Sequence, residues 1–592
     1  MTPRPLWIAR VTGTQEEMGR QHGELLAAAG GADAVLAHYR DMPVRLAVGD
    51  AAPAARAVAT VAVRGVTEAL LVRLDADRPA ELRARSRAFM RAIGRPAGWA
   101  RYLGVMDLFQ NLVGTAARWG IGPFAKPTQA VMNAPRFRCG GLLRRMTDEA
   151  AHPACSTVMA WGATTADGAL LHARNFDFPG VGVWDASPAL LLCVPDRGMR
   201  YGFVTTRGAD TPVVTVWNEA GLVVTSHTRF HREVAFKGAS IVDLVHEIAR
   251  RAESLADAER IARERPVASS WGLAVSSARE RRAIVLEIHA GRVAVVAPAG
   301  ANEHLVCCNR YRNPYMQDGE VAATPAWPLH TDRRERRLTQ LVAEVRASGG
   351  ARWRELAAML TDREDADAPG VTRQLGGIVA QPCQVQSIVV APDARTLWLG
   401  TGAAPVGEGR WMKVVWRWDG VAGAWELGQP VPAGIGITVD DAGEIARSPA
   451  SDHVARAVAV EQLHHDTEQT AAALEQAIAH APDDPSLRLA QLWLELRRDR
   501  YGRAVEHAVA GLARESIPYR RAQLLLWGAR AAMAAGDPER AAGWRTELAA
   551  LPAGAHGVAY LQTHGRRDEA RPASAFRRRP TANLTLLEAG YG

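Results

Sequence analysis

The chain has 592 residues and a formal net charge of +8, and it is 48% hydrophobic and 23% charged. That length predicts two or three domains, and no apolar run approaches the roughly 20 residues of a transmembrane helix. Positive and negative residues are interspersed without a base-stacking or groove-reading motif, which argues against a nucleic-acid partner. Residues 1–15 lack the pattern of a secretory signal, so we expect a cytoplasmic protein without a membrane partner.

Metal, disulfide and cofactor motifs are weak in this sequence. The six cysteines are scattered without a Cys-x-x-Cys pair, so neither a disulfide framework nor a zinc site is predicted. His227 and His231 lie four residues apart, but no third ligand is evident. Gly400-Thr401-Gly402 lacks the spacing of a dinucleotide-binding loop. We expect neither a metal nor a cofactor.

The first 154 residues predict one strand followed by helices. An apolar strand over residues 6–11 leads to Thr14 and, three residues later, Glu17, which is the pattern of a capping box at a helix start. Residues 31–150 are mainly helical in pattern, and apolar residues at helical spacing in 101–122 predict a core helix. The composition of 123–153 predicts an exposed loop.

A hairpin is predicted around Cys155. An apolar strand follows this cysteine, Ala166-Asp167-Gly168 supplies the turn, and a second strand delivers Arg174 and Asp177. Opposite residues on antiparallel strands lie about 5 Å apart, so the thiol should lie beside the guanidinium and the carboxylate. A thiolate should form more easily among such charges.

The rest of the chain predicts an α+β body and a helical end. Short β-branched strands alternate with turns after Asp177, helices are predicted in 237–266 and 332–347, and the last predicted strands are 386–390 and 396–400. From about residue 452 only helices are predicted, with small-residue helices spaced 33 and 37 residues apart. This spacing resembles tetratricopeptide repeats, which implies a peptide or protein partner, self-association or packing on the body.

Four separate stretches carry a family resemblance: Cys155-Ser-Thr, the run Arg174-Asn-Phe-Asp-Phe, the sequence Gly-Thr-x-x-Glu-x-Gly-x-Gln-His-Gly from Gly13, and the turn from Asn218 to Leu222. They resemble the autoproteolytic acyltransferase/hydrolase family of N-terminal-nucleophile (Ntn) enzymes, which includes isopenicillin N acyltransferase and is related to the bile-salt amidases. The resemblance implies an Ntn αββα sandwich in residues 155–450. It also implies a small chain, 1–154, before it. The helices that resemble tetratricopeptide repeats are predicted to form a separate third domain, 451–592.

The resemblance also implies the chemistry. Self-cleavage between Ala154 and Cys155 would free an α-amine that serves as the base for its own thiol, although the family usually has Gly before the cysteine. Arg174 and Asp177 would hold that amine, and Asn309 would supply the oxyanion site. Either Arg333 or Arg334 resembles a structural arginine of the family. A second oxyanion donor would be a backbone N–H near His227-Thr228.

Two functional hypotheses remain open on sequence grounds. The first is an enzyme that hydrolyses an amide, or transfers an acyl group, of a small N-acyl or peptide-like substrate through a Cys155 thioester. The second is a non-catalytic tetratricopeptide interaction protein with a degenerate hydrolase-like body. His22, embedded in a helix beside glycines, is predicted to pack rather than to catalyse.

Overall fold

The computed structural model describes residues 3–48, 53–119, 154–322, 325–577 and 579–591. Within these residues the protein is an α+β fold with two large sheets and a helical C-terminal region. The loop predicted for 123–153 lies outside the described residues. Of the helices described, none combines the length and the apolar character that a membrane crossing requires.

The larger sheet has nine strands in the order β10-β9-β8-β7-β6-β5-β4-β1-β17. Strand β1 pairs in parallel with β4 and antiparallel with β17, so residues that precede Cys155 lie inside a sheet built mostly from residues that follow it. The nine strands are β1 (Trp7–Gly13), β4 (Pro188–Pro195), β5 (Tyr201–Thr206), β6 (Thr215–Asn218), β7 (Leu222–Thr228), β8 (Trp271–Ser277), β9 (Arg282–His289), β10 (Arg292–Val296) and β17 (Gly423–Glu426).

The second sheet has seven antiparallel strands in the order β11-β2-β3-β14-β15-β16-β18. Its strands are β2 (Ser156–Gly162), β3 (Gly168–Asp177), β11 (His304–Cys307), β14 (Gln384–Ala391), β15 (Thr396–Thr401), β16 (Gly409–Trp416) and β18 (Ile437–Ile445). A separate two-stranded ribbon pairs β12 (Glu364–Asp365) with β13 (Ala368–Thr372).

The expectation that the sheets end near residue 400 is wrong, because β16, β17 and β18 follow. Strand β18 is an edge strand with one buried residue, and the others are partly or fully exposed, so it carries no alternating apolar signal. Strand β17 has only four residues, which is too short for periodicity to detect.

Apolar side chains from both sheets form one continuous cluster between them. Ile8 and Leu190 of the nine-stranded sheet belong to the same buried cluster as Val390 and Leu399 of the seven-stranded sheet. The Trp217 and Trp416 rings lie 5.1 Å apart across it. Burial of this shared face holds the two sheets together through the hydrophobic effect.

The N-terminal helices pack on the nine-stranded sheet. The capping box is confirmed, since the Thr14 hydroxyl accepts from the Glu17 N–H and the Glu17 carboxylate accepts from the Thr14 N–H. A Cβ at Gly19 would lie 2.2 Å from a backbone oxygen of the helix beneath, so only glycine allows this crossing. These helices are α1 (Gln15–Ala29), α2 (Asp33–Val48), α3 (Pro53–Ala76), α4 (Ala80–Ala92) and α5 (Val105–Arg118), with a 3-10 turn at Ala97–Gly104.

Further helices cover the outer face of each sheet. Leu244 and Ile248 share a buried cluster with the nine-stranded sheet, whereas Leu338 and Leu356 share one with the seven-stranded sheet. These middle helices are α6 (Ile241–Arg251), α7 (Leu255–Glu264), the one-turn α8 (Pro314–Gln317), α9 (Ala326–Ala347) and α10 (Trp353–Leu360).

Consecutive helices pack on one another in the C-terminal region. They are α11 (Ser451–His464), α12 (Thr467–His480), α13 (Pro485–Arg497), α14 (Tyr501–Leu512), α15 (Pro518–Ala535), α16 (Pro538–Ala550) and α17 (Val558–Glu569). The expectation of helices alone is wrong at the end, where β19 (Pro580–Asn583) and β20 (Glu588–Tyr591) pair. Buried Arg373 binds Glu515 with two hydrogen bonds of 2.8 Å, which ties this region to the body.

Candidate active site around Cys155

Four elements meet at Cys155. This residue comes immediately before β2, and the register of the β2–β3 pair places Ser156 opposite Asn175. The hairpin turn is confirmed: Asp167 accepts from the Ala169 N–H, and Gly168 has a positive φ of 74°. Strand β11 pairs on the other side of β2 and ends two residues before Asn309, and helix α9 crosses nearby.

Arg174 fixes the Cys155 sulfur. Its Nη2 donates to Sγ at 3.1 Å and to the Ser226 carbonyl at 2.6 Å, and its Nη1 donates to the Val214 carbonyl at 2.7 Å. The Phe176 ring lies 4.9 Å from the guanidinium carbon. Two backbone carbonyls, one from β7 and one from the residue just before β6, therefore orient the charge, and the predicted thiol–guanidinium contact is confirmed.

The arginines ease thiolate formation as expected, but burial of Cys155 outweighs their effect. Burial raises the pKa of the Cys155 thiol, and the nearby Arg174 offsets only part of that effect. Cys155 is 1% exposed, and desolvation penalises the charged form of a buried group. The thiol therefore needs a proton acceptor within the site before it can act as a nucleophile.

The Asp177 carboxyl is fully buried, and among the described residues neither of its oxygens accepts a hydrogen bond. Burial raises the pKa of Asp177 well above its ordinary value, and Arg334 and Arg174 lower it only in part. Its backbone carbonyl accepts from the Ala154 N–H at 3.1 Å, so the peptide before Cys155 lies against this residue.

Arg334 links Cys155 to Asn309. Its Nη1 donates to the Cys155 carbonyl at 2.8 Å, and its Nη2 donates to Oδ1 of Asn309 at 2.9 Å. The Asn309 amide donates to the Thr228 carbonyl at 3.1 Å, which leaves its second N–H for another acceptor. Arg333 instead pairs with Asp367, so the geometry selects Arg334 from the two candidates.

A small pocket borders the sulfur. It encloses about 40 Å³, and Cys155 lines it together with Tyr39, Met106, Asp107 and Trp271. A space of this volume holds only a few water molecules. The pocket lies between the N-terminal helices and the sheets. Its walls therefore come both from residues that precede Cys155 in the sequence and from residues that follow it.

The remaining sequence candidates lie elsewhere or play other parts. The His227 ring is hydrogen-bonded to the Thr157 hydroxyl at 2.9 Å, whereas Thr228 lines the pocket. A backbone oxyanion donor near these two residues stays a prediction. His22 is buried and hydrogen-bonded to Asp210 at 3.0 Å, with the Phe89 ring 4.5 Å away, as expected for a packing residue.

One group has the composition of a metal site. Potential ligand atoms of His231, Glu233 and His289 lie within 4.8 Å of one another. Both ring nitrogens of His231 are nevertheless engaged, because Nδ1 accepts from the Glu233 N–H and Nε2 donates to the Asp318 carbonyl. A metal would have to displace one of these backbone hydrogen bonds.

Sequence reasoning missed the pocket walls supplied by the N-terminal helices. The apolar spacing of residues 101–122 predicts a core helix, yet Asp107 of this helix lines the pocket with Cys155. A single carboxyl in an otherwise apolar stripe was the available signal. No sequence signal identifies the carbonyls of Val214 and Ser226, which hold Arg174.

Comparisons with known proteins give little further information. No protein-family model matches the chain, and no curated protein matches it. Among solved structures, a Caenorhabditis elegans N-acylethanolamine-hydrolyzing acid amidase (NAAA) ortholog aligns at 15% identity with a TM-score of 0.29. The alignment covers 40% of this chain and 93% of that one. At this level of similarity, the functional conclusion has to come from the site itself.

Proposed function

We propose that the protein is a cysteine amidohydrolase or acyltransferase of the Ntn type, with an αββα body and Cys155 as nucleophile. The observation that carries the proposal is the buried, unpartnered carboxyl of Asp177, the residue whose backbone carbonyl accepts from the Ala154 N–H. A buried acid without a partner is costly, and an α-ammonium generated at Cys155 would supply the missing positive charge.

Activation requires cleavage of the Ala154–Cys155 bond. In the proposed step the Cys155 sulfur attacks the Ala154 carbonyl carbon, the C–N bond breaks, and the amine takes up the thiol proton. The product is a thioester, which water hydrolyses to a free Ala154 carboxyl group and a free Cys155 thiol. Strand β1 lies between β4 and β17, so we expect the small chain to stay bound after cleavage.

The free α-amine then serves as the base that the buried thiol lacks. With an ordinary pKa near 7.7, it accepts the thiol proton at neutral pH, and the thiolate attacks the substrate carbonyl. The second N–H of Asn309 donates to the oxyanion, and Arg334 holds that amide in place. The ammonium returns its proton to the leaving amine, and water or an acceptor amine resolves the Cys155 thioester.

The experiment is to trap the acyl-enzyme. The full-length protein is mixed with an activated ester of a short fatty acid, quenched in acid and digested, and the Cys155 peptide is examined by mass spectrometry. We expect an acyl adduct on Cys155 that disappears on addition of hydroxylamine. Cys193, which is also buried and has a raised pKa, is the internal control. Equal labelling of Cys155 and Cys193, or none at Cys155, would overturn the proposal.

A further inference from the structure

The pocket beside Cys155 contains a second ionisable group that the proposed mechanism does not use. Asp107 lies in the first turn of α5 and is 1% exposed. It lines the same pocket as the nucleophile, among apolar walls that include Tyr39, Met106 and Val242. A carboxylate in such a setting is costly unless it is hydrogen-bonded or meets a ligand.

The hydrogen bonds of Asp107 fall mainly on one oxygen. Oδ1 accepts from the Ser269 hydroxyl and from the Trp271 indole N–H at 3.0 Å. Oδ2 has a single contact, a 3.3 Å hydrogen bond from the Ile241 N–H that it shares with Oδ1. An ionised carboxylate offers about four acceptor positions, so Oδ2 retains the capacity to bind another donor.

No cation neutralises Asp107 within the described ranges. Its hydrogen-bond donors are a hydroxyl, an indole and a backbone N–H, whereas neighbouring Asp243 is paired with Arg78 at 2.9 Å. Burial raises the pKa of Asp107 to about 6, and its hydrogen bonds lower it only in part. At neutral pH the group is therefore mostly an unneutralised anion facing the pocket.

We infer that Asp107 is a specificity residue that binds a cationic donor at the far end of a short, otherwise apolar acyl group. The inference rests on the proposed function, in which Cys155 attacks the carbonyl at the near end of the same group. The preferred substrate class is an ω-aminoacyl amide. A charge-assisted hydrogen bond to Oδ2 favours this class over methyl-ended and carboxylate-ended analogues.

Initial rates of para-nitroaniline release by the wild-type protein test this inference. The probes are three para-nitroanilides, of ω-aminopentanoic, hexanoic and glutaric acid, which differ at the end of the acyl chain. We expect kcat/KM for the amino-ended probe to be about ten-fold higher than for the methyl-ended one. The glutaric probe should react most slowly, because its carboxylate would face Asp107.

Asp107→Asn should remove this preference, so that the kcat/KM ratio of the amino-ended to the methyl-ended probe falls from about ten to about one. Asp257→Asn, which also removes a carboxyl beside a helix N-terminus but at a partly exposed position of α7, should keep the preference. Equal kcat/KM values for the amino-ended and methyl-ended probes in the wild-type protein would overturn the inference even if Asp107→Asn fails to fold. Absence of a Cys155 adduct in the trapping experiment would instead overturn the proposed function.

Discussion

Two buried charged clusters in this protein differ in whether their carboxylate is paired. At the first, called here the clamp (His22, Arg85 and Asp210), Arg85 binds both oxygens of Asp210 at 2.7 and 2.8 Å, and His22 adds a third bond. At the second, around Cys155, both oxygens of Asp177 lack a partner in the part of the chain described. Burial is complete for both carboxyls.

The pKa shifts separate the two clusters in the same way. Burial pushes the pKa of both aspartates upward, but Arg85 and His22 reverse that effect at Asp210, whose pKa is lowered. At Asp177 the pKa stays raised. The clamp is therefore complete as folded and joins α1 and α4 to the loop between β5 and β6. Under the proposed mechanism, the Cys155 site would be completed by the positive charge of the α-ammonium.

The largest loss of folding stability is expected at the clamp. Asp210→Asn leaves the buried Arg85 guanidinium without its counter-charge, and breaking a buried ion pair in this way costs about 3–5 kcal/mol. Urea unfolding measures the loss. Turnover per folded molecule should change little, because no contact described here links the clamp to Cys155.

The pH dependence of the same variant sharpens this prediction. The folded-state pKa of Asp210 is lowered, so its stabilisation is fully present above the unfolded value of about 3.9 and is lost as the pH falls. The stability difference between wild type and Asp210→Asn should shrink below about pH 4. A difference that is constant from pH 7 to acid would contradict the ion-pair account of the clamp.

Asp177→Asn should have the opposite profile. The neutral side chain already has no partner in the uncut chain, so the unfolding free energy of an uncut background such as Cys155→Ala should change by less than about 1 kcal/mol. In the active protein, loss of the counter-charge for the α-ammonium should reduce kcat/KM about 100-fold. Destabilisation as large as that of Asp210→Asn, with activity retained, would show that Asp177 is structural.

A smaller loss of activity is expected at Arg334, which connects the Cys155 carbonyl to Asn309. Lysine keeps the charge but cannot hold both groups in a planar fork, so Arg334→Lys should lower kcat/KM about ten-fold by misplacing the oxyanion amide. Arg333→Lys, one residue away and paired with Asp367, is the matched control and should stay within about two-fold. Similar losses in both variants would mean that the effect comes from the helix rather than from the site.

Local sequence signals predicted the hairpin but not the choice of arginine. The Cys155 hairpin follows from turn chemistry and strand alternation, which act over a few residues. Arg333 and Arg334 are adjacent on α9, and the rotation of that helix against β2 decides which one reaches Cys155. This rotation depends on packing between residues far apart in sequence.

The same limit explains the missed pocket wall and the missed strands. Asp107 contacts Trp271, 164 residues away, and no spacing pattern encodes such a contact. The edge strand β18 has a single buried residue and therefore lacks the apolar alternation that identifies a strand. The sequence identifies Asp177 as part of the Arg174–Phe178 run. Whether its carboxyl finds a hydrogen-bond partner depends on the folded surroundings, and among the described residues it finds none.

The most direct test of the account is the intact mass and N-terminal sequence of the purified full-length protein. Wild type should give two polypeptides, the larger beginning at Cys155, and Cys155→Ala should give one uncut chain. A single chain in both proteins would contradict the claim that Cys155 becomes an N-terminal nucleophile, because no α-ammonium would then form as a partner for Asp177.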